Sequence, residues 1–133
     1  MYHHLVNWGR HDVPPPTAEP IPADVRSGRV VIPRDEDGLA FGGIGLAEVD
    51  APAATNTEEN SGPELCRLYW SHQPSTAEEL ASKYPTHDAY VRMGRAVANR
   101  NLREGFVLQR DAAEAVREAE ASRVGTPNPL PIP

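Results

Sequence analysis

Proline placement constrains the fold of this chain more than any other feature of its sequence. The chain has 14 prolines, about twice the average share, and they are densest from Val13 to Pro22. Proline fixes φ and removes the backbone donor, so this stretch is expected to be extended or polyproline-like. We interpret residues 10–28 as a rigid connector. The alternative is a ligand for an SH3 or WW groove, which is disfavoured because basic flanking residues are sparse.

The scarcity of large apolar residues limits the core that the chain can build. Leucine, isoleucine, valine and phenylalanine make up 26 of its 133 residues, and the formal net charge is −6. This composition lies at the edge of the range in which chains stay disordered. Either much of the chain is irregular, or its apolar faces rest against a surface that this sequence does not provide.

Composition also argues against several function classes. The charges are interspersed, and no basic patch indicates nucleic acid. No apolar run approaches the roughly 18 residues of a membrane span. The N-terminus lacks a signal-peptide layout, so a cytoplasmic location is the default expectation. Cys66 is the only cysteine, which excludes an intrachain disulfide and a cysteine-based zinc site. We expect no cofactor and no metal.

Residues 29–52 predict short strands. Arg29–Ile32 is rich in β-branched residues and is followed by proline. Asp35–Gly38 predicts a turn whose glycine takes a positive φ. Leu39–Phe41 is a candidate second strand, and Leu46–Val49 is expected to be extended. Such pieces can form a small hairpin or meander, which is marginally stable alone.

Residues 75–124 predict a helical region. A capping box of Ser75 and Glu78 introduces a short first helix, since a hydroxyl precedes a carboxylate by three residues. Thr86 can cap a second helix, which Gly105 is expected to end.

Two helix faces in this region are predicted to pack. In the second helix Tyr90, Met93 and Val97 stand at i, i+3 and i+7, which predicts one buried stripe. A third helix, residues 110–123, carries a face of small residues that permits close approach of another helix. The members of that face are Ala112, Ala115, Val116 and Ala119.

The remaining segments give weaker signals. Residues 1–9 predict the end of a helix with Gly9 as its C-cap. Residues 53–74 predict a polar loop with an apolar patch at 65–70. Residues 125–133 predict a frayed tail.

Together these segments predict an α+β fold class, mostly irregular, with short strands in the N-terminal half and two to three C-terminal helices. We treat residues 1–133 as a single segment. Its parts are a helix end (1–9), a proline-rich connector (10–28), short strands (29–52), a loop (53–74), helices (75–124) and a tail (125–133).

The motifs of known hydrolytic chemistry are absent from the sequence. An α/β-hydrolase nucleophile stands in G-x-S-x-G on a sharp strand-to-helix turn, and no such pentapeptide occurs here. Ser61 has a glycine neighbour but lies in a polar loop with no strand before it. We therefore expect no catalytic residue in this chain.

Binding motifs are equally weak. Adjacent histidines diverge by about 100° on a helix, so His3, His4 and His11 with Asp12 do not form a one-sided metal set. Gly42–Gly45 is similar to a phosphate loop, but a phosphate site needs a following helix N-terminus. We expect a bulge or a strand bend there, and no cofactor-binding or metal-binding residue.

Taken together, the chain resembles the C-terminal portion of bacterial α/β-hydrolase domain-containing proteins. The order and approximate spacing of four stretches carry the resemblance over nearly the whole chain. They are Leu5–Trp8 with Val13–Pro16, Val31–Ala40 continuing through Gly43 and Ile44 to Glu48 and Val49, Lys83–Val91, and Asp111–Ala113 with Glu118–Ser122.

The resemblance implies serine hydrolysis of esters or related acyl bonds, with the nucleophile and histidine upstream of the first helix. We therefore expect a C-terminal segment that is inactive alone and whose partner is the missing hydrolase core, in the same or a separate chain. The alternatives are a non-catalytic binding module or small subunit that docks on a separate hydrolase chain, and a remnant reading frame. Nucleic acid and membrane are not expected partners.

Overall fold

Short antiparallel strand pairs occupy the N-terminal part of the protein, and helices occupy the C-terminal half, which confirms the predicted α+β class. The computed structural model describes residues 2–57 and 71–127. In chain order its elements are α1 (Tyr2–His11), β1 (Asp24–Arg26), β2 (Arg29–Val31), α2 (Ala47–Asp50), β3 (Ala54–Thr57), β4 (Ser71–Pro74), α3 (Ala77–Lys83), α4 (His87–Arg103) and α5 (Gln109–Ala121).

Helix α1 ends at His11, two residues beyond the predicted C-cap Gly9. The stop comes from Asp12, which has a φ of 54° and whose N–H donates to the Trp8 carbonyl over 3.1 Å. Aspartate tolerates the left-handed region better than most residues. The helix therefore needs no glycine at its end.

Strands β1 and β2 form a hairpin around Ser27 and Gly28. Both turn residues have positive φ, 52° and 75°, as a type I′ two-residue turn requires. Strand β2 confirms the predicted strand at Arg29, whereas β1 lies within the segment that we interpreted as connector. In the register, Val25 stands opposite Val30.

The turn after β2 is closed by the Asp35 side chain. Its Oδ1 accepts the N–H groups of Asp37 and Leu39 over 3.0 and 2.9 Å, and Gly38 has the predicted positive φ. The predicted second strand, 39–41, is reduced to an isolated bridge between Arg34 and Ala40.

The prediction that Leu46–Val49 is extended is wrong, because α2 forms a single helical turn there. The Leu46 carbonyl accepts N–H groups from Val49 and Asp50 over 3.0 and 2.9 Å. A long-range ion pair fixes the turn, since the Asp50 carboxylate at its end binds Arg100 of α4.

Strands β3 and β4 lie within residues 53–74, where the sequence predicts a loop. They pair antiparallel from Ala54 opposite Pro74 to Thr57 opposite Ser71. Polar residues fill β4, so no alternation of apolar and polar positions marks it. The predicted apolar patch at 65–70 lies outside the described residues.

Helix α3 begins with a capping box one residue later than predicted. The Thr76 hydroxyl accepts the Glu79 N–H over 3.2 Å, and the Glu79 carboxylate accepts the Thr76 N–H over 2.7 Å. Ser75 and Glu78 have the same spacing, but the Ser75 N–H donates to the Ala53 carbonyl beside the β3–β4 hairpin. Because the backbone of Ser75 is bonded to the hairpin, Thr76 caps α3 in its place.

Helices α4 and α5 pack closely as a pair. The predicted cap at Thr86 is confirmed, since its hydroxyl accepts the Ala89 N–H over 3.1 Å. The buried face of α4 holds Gly94, Val97, Ala98 and Asn101.

The predicted burial of Met93 is wrong, since Met93 is 47% exposed. A Cβ added at Gly94 would stand 3.3 Å from the Cβ of Ala119. Because Gly94 has no side chain, α5 packs closely against Gly94 and leaves the neighbouring Met93 exposed.

The core is small and rich in alanine. Leu80, Tyr84 and Val124 form a buried cluster, with Ala53 and Tyr90 packed against it. The Tyr84 hydroxyl donates to the Pro52 carbonyl over 3.1 Å, and its ring meets Tyr90 edge to face with centroids 4.9 Å apart. Within residues 2–57 and 71–127, no helix combines the length and hydrophobicity that crossing a membrane requires.

Candidate functional site

The glycine-rich segment Gly42–Gly45 borders a cavity of about 610 Å³ between the connector, α2 and α4. Charged residues from four parts of the chain line it. They are Glu19, Asp35, Asp50, Arg100 and Glu104. Four carboxylates with one guanidinium give the cavity a net negative lining, which disfavours a phosphate group.

Close backbone contact explains the glycines better than ligand binding does. Gly42 has a φ of 76°, and a Cβ there would stand 2.7 Å from the Pro20 carbonyl oxygen. The Gly43 N–H donates to the Glu19 carbonyl over 2.7 Å. The segment therefore bends around the proline-rich connector, and its amide is used inside the protein.

The Gly45 carbonyl links this bend to α4. It accepts a hydrogen bond from Arg100 Nη2 over 2.6 Å and another from Asn101 Nδ2 over 2.8 Å. Arg100 Nη2 also donates to Asp50 Oδ2. Because Asp50 lies against Gly45, a Cβ at Gly45 would collide with its carboxylate. This group of residues holds three segments together and was not found by sequence reasoning, because its partners are about fifty positions apart.

Four of the five histidines lie within hydrogen-bond distance of other groups of the protein, in three separate parts of the fold. His4 Nε2 lies 2.7 Å from the Gly105 carbonyl oxygen, and His3 Nε2 accepts from Asn7 over 3.1 Å. His72 Nδ1 lies 2.7 Å from Asn56 Oδ1. His87 bridges α4 and α5, with its two ring nitrogens 2.9 and 3.2 Å from backbone carbonyl oxygens at the end of α5.

None of the sequence candidates assembles into a catalytic or metal set among the described residues. His3, His4 and His11 lie along α1. In the described ranges no group of three or more His, Cys, Asp or Glu is placed to hold a metal ion. Ser61 and Cys66 lie outside these ranges.

A second polar group surrounds Tyr90, beneath α2 and α5. Burial raises the pKa of the Tyr90 phenol above its ordinary value of 10.0, and the charges of Glu48 and Glu118 raise it further. The three residues line one cavity of about 220 Å³. Sequence reasoning placed Glu48 on an extended segment, so it missed this group. The helical turn of α2 is what brings Glu48 to α5.

Because the described residues form no catalytic set, we next consider the similarity of the sequence to known families. The sequence profile of the family described as alpha/beta hydrolase domain matches residues 1–117. The chain belongs to the alpha/beta hydrolase domain family. Comparison with curated proteins and with solved structures gives no match.

The family match spans all the described elements of this alpha/beta hydrolase domain protein up to the middle of α5. Hydrolases of this kind place a serine on a nucleophile elbow, with a histidine and an acid in hydrogen-bond reach. The 133 residues contain no G-x-S-x-G sequence. Among the described residues, the cavity between β4 and α3 is lined by Ser75 and Ser82 without a histidine, and the cavity beside Tyr90 is lined by His72 without a serine.

Proposed function

We propose that this chain is the C-terminal, non-catalytic part of a bacterial esterase-type α/β hydrolase. It packs against the hydrolase core, which carries the nucleophile, and it stabilises that core or shapes the substrate entrance. The observation that carries this proposal is the orientation of α1, a helix with an apolar face directed into solvent.

Helix α1 turns its polar side toward the rest of the protein. His4 is half-buried and bonds the backbone at Gly105, whereas Tyr2 and Leu5 are 85% and 55% exposed. Tyr2, Leu5 and Val6 stand at i, i+3 and i+4, so they share one face. Amphipathic helices normally bury such a face, which supports a neighbouring surface that covers it.

The β1–β2 hairpin shows the same exposure. Val25 and Val30 form a directly opposed cross-strand pair, and both are exposed. A two-stranded hairpin is marginally stable in water. Packing of this apolar pair on the hydrolase core supplies the burial that the hairpin lacks.

The connector between these two elements also carries exposed apolar residues. Val13 and Ile21 within it are exposed, and its prolines restrict the conformations open to the unfolded chain. An extended, preorganised segment loses little entropy when it lies on a partner surface. We therefore assign α1, the connector and β1–β2 together as the face that contacts the hydrolase core.

An esterase assay of the isolated chain tests the catalytic part of the proposal. With p-nitrophenyl butyrate, we expect no turnover above the buffer rate, because the sequence offers no elbow serine. The assay is repeated after treatment with a serine-directed fluorophosphonate. Turnover that this inhibitor abolishes would overturn the proposal.

The alternative is a small subunit that docks on a separately encoded hydrolase. The same face serves in both cases, and the two differ in where the nucleophile is encoded. Sequencing the genomic region around the reading frame distinguishes them. A G-x-S-x-G motif in the same frame supports one chain, and the motif in a neighbouring gene supports a subunit.

A further inference from the structure

The turn between α4 and α5 is a place where the N-terminal segment meets the helices. The turn contains Gly105, whose φ is 80° and whose N–H donates to the Leu102 carbonyl over 3.2 Å. The carbonyl oxygen of Gly105 lies 2.7 Å from His4 Nε2 of α1. Since a carbonyl oxygen only accepts, Nε2 carries the proton of this hydrogen bond.

The connector reaches the same turn. A Cβ added at Gly105 would stand 3.6 Å from Pro16 Cγ and 4.0 Å from His4 Cε1. Both are ordinary contact distances, so the imidazole and the proline ring lie beside the same residue. Both side chains are half-buried. The turn therefore contacts two successive parts of the chain, α1 and the connector.

Helix α1 makes few other contacts with the rest of the protein. His4 and Asn7 are its partly buried residues, and the others from Tyr2 to His11 are exposed. The Asn7 amide bonds His3 within the same helix. Within the described ranges, no side-chain hydrogen bond of α1 other than that of His4 reaches a distant part of the chain. The position of α1 thus depends on this bond and on the connector that follows the helix.

The length of α1 makes such a contact necessary. The helix has 10 residues, and isolated helices shorter than about 12 to 15 residues are marginally stable in water. None of its residues is buried against the described part of the chain, so apolar packing there contributes little to its stability. The helix needs a tertiary contact, and the His4 bond provides one.

The angular position of His4 determines which face α1 presents to solvent. At 3.6 residues per turn, Tyr2 and Val6 each lie about 160° around the helix from His4. A bond from His4 to the α4–α5 turn therefore directs Tyr2 and Val6 away from the protein. Their exposed fractions, 85% and 43%, agree with this orientation.

We propose that His4 is a positioning residue for the contact with the hydrolase core. Its bond to the Gly105 carbonyl, the His4 anchor, holds α1 in helical form and turns the apolar face outward. Because that face is the one assigned to the hydrolase core, the role of His4 in docking rests on the proposed function. A face that is ordered before it meets its partner loses less entropy on binding.

Two variants of equal side-chain length separate the bond from the shape of the side chain. In His4→Gln an amide N–H can replace the Nε2 donor, whereas the carboxylate of His4→Glu can only accept at neutral pH. The negative charge of His4→Glu would otherwise favour α1, since it stands in the first turn of a helix. A loss that His4→Glu shows and His4→Gln does not is therefore due to the missing donor.

Hydrogen exchange of the full chain, followed by NMR near neutral pH, measures the result in α1. The amides of residues 6–11 are bonded within the helix and report its opening. As the loss of one hydrogen bond predicts, we expect exchange about fivefold faster in His4→Glu than in the unsubstituted chain, and within about twofold in His4→Gln. Equal exchange in the two variants, or no change in His4→Glu, would overturn the proposal.

A neighbouring histidine provides the control. His3→Ala removes a side chain whose bond to Asn7 stays within α1, and it should change exchange by about twofold or less, the effect of one side-chain pair on a helix surface. Urea denaturation should give the same free energy of unfolding for all variants, because the core cluster lies in the helical part. A His4→Glu protein that lost stability throughout would contradict a role confined to α1.

The His4 anchor and the proposed contact are tested separately. Exchange in the isolated chain involves no partner, so it tests the anchor alone, whereas calorimetric titration of the chain with the hydrolase core tests the proposed function. If exchange follows the donor and the unsubstituted chain does not bind the core, the anchor stands and the proposed function fails. If the chain binds the core and exchange does not follow the donor, the anchor fails and the proposed function stands.

Discussion

The helical part of the molecule, α3–α5 with its core, and the N-terminal part, α1 with β1–β2, use apolar residues in opposite ways. In α4 and α5 the apolar residues on the shared face are buried, and Gly94 lets the helices approach closely. In α1 no residue is buried, and every residue of β1 and β2 is exposed. The helical part therefore carries its own core, whereas the N-terminal part forms regular structure without one.

This contrast predicts that stability is concentrated in the helices. A local turn, a hairpin register or a helix stop can be specified by a few residues such as Ser27, Gly28 and Asp12. A favourable free energy of folding, by contrast, requires that apolar surface be buried. Substitutions in matched pairs, one in each part, measure the difference.

The largest difference is expected from large-to-small substitutions. Leu80→Ala removes a side chain that is 5% exposed in the central cluster, and it should lower the free energy of unfolding by about 2 to 5 kcal/mol. The matched change Val25→Ala, at a residue that is 75% exposed, should cost within about 0.5 kcal/mol. Urea denaturation followed by circular dichroism measures both. Equal losses would show that the hairpin belongs to the cooperative core.

A pair of glycines tests the same contrast at the level of backbone packing. Gly125 and Gly28 have similar positive φ values, 72° and 75°. A Cβ at Gly125 would stand 2.5 Å from Thr86, whereas a Cβ at Gly28 meets nothing within 4 Å.

Gly125→Ala therefore adds a steric clash to backbone strain, and we expect a loss of about 2 to 4 kcal/mol. Gly28→Ala adds strain alone, at about 1 kcal/mol. Thermal melts of the two variants give the difference. A Gly125→Ala protein that melts like Gly28→Ala would mean that the turn after α5 is loosely packed.

The sequence predicts correctly those features that local chemistry determines, and it misses those that depend on long-range contacts. The cap at Thr86, the turn glycine Gly38 and the helix end at Gly105 depend on local chemistry, and the structure confirms them. Strands β3 and β4 were missed because their pairing is long-range and their polar sequence carries no period. The Ser27–Gly28 turn was a signal for β1 that the proline-rich interpretation of residues 10–28 obscured.

The candidate sites were harder to predict than the helices. Arg100 reaches Asp50 and Gly45 across the fold, and Glu48 joins Tyr90 only because α2 is helical. Which residues of α4 make such contacts depends on the rotation of the helix about its own axis. The sequence placed Met93 on the packed face, whereas Gly94 occupies it, because close approach at a glycine outweighs the burial of a larger side chain.

Alkaline pH should weaken the helical part selectively. Burial raises the pKa of the Tyr84 phenol above its ordinary value of 10.0, and the charges of Tyr90 and Asp37 add to the effect. The folded state thus holds the proton more tightly than the unfolded state, so stability is full below pH 10 and falls as pH rises above it.

Tyr84→Phe should remove part of this alkaline slope and cost about 1 kcal/mol at neutral pH, because the bond to the Pro52 carbonyl is lost. Urea titrations from pH 7 to 11 measure both effects. The control Tyr2→Phe alters a phenol that is 85% exposed, and it should leave neutral stability unchanged. An unaltered slope in Tyr84→Phe would contradict the assignment to Tyr84.

The smallest effect separates two neighbouring hydroxyls at the start of α3. Thr76→Ala removes the observed capping bond to the Glu79 N–H and should cost about 1 kcal/mol. Ser75→Ala alters the cap that the sequence pattern favoured, and it should cost within about 0.5 kcal/mol. Thermal melts that rank the two variants in the opposite order would place the helix start one residue earlier.

Acid titration of the same cap gives a second readout. The hydrogen bonds from the Thr76 N–H and then the Thr76 hydroxyl lower the pKa of the Glu79 carboxyl below its ordinary 4.5. Its contribution to stability is therefore present above pH 4.5 and is lost as pH falls through the lowered pKa. Thr76→Ala should reduce this acid dependence, while Ser75→Ala should retain it, because only Thr76 supplies the hydroxyl in the capping box.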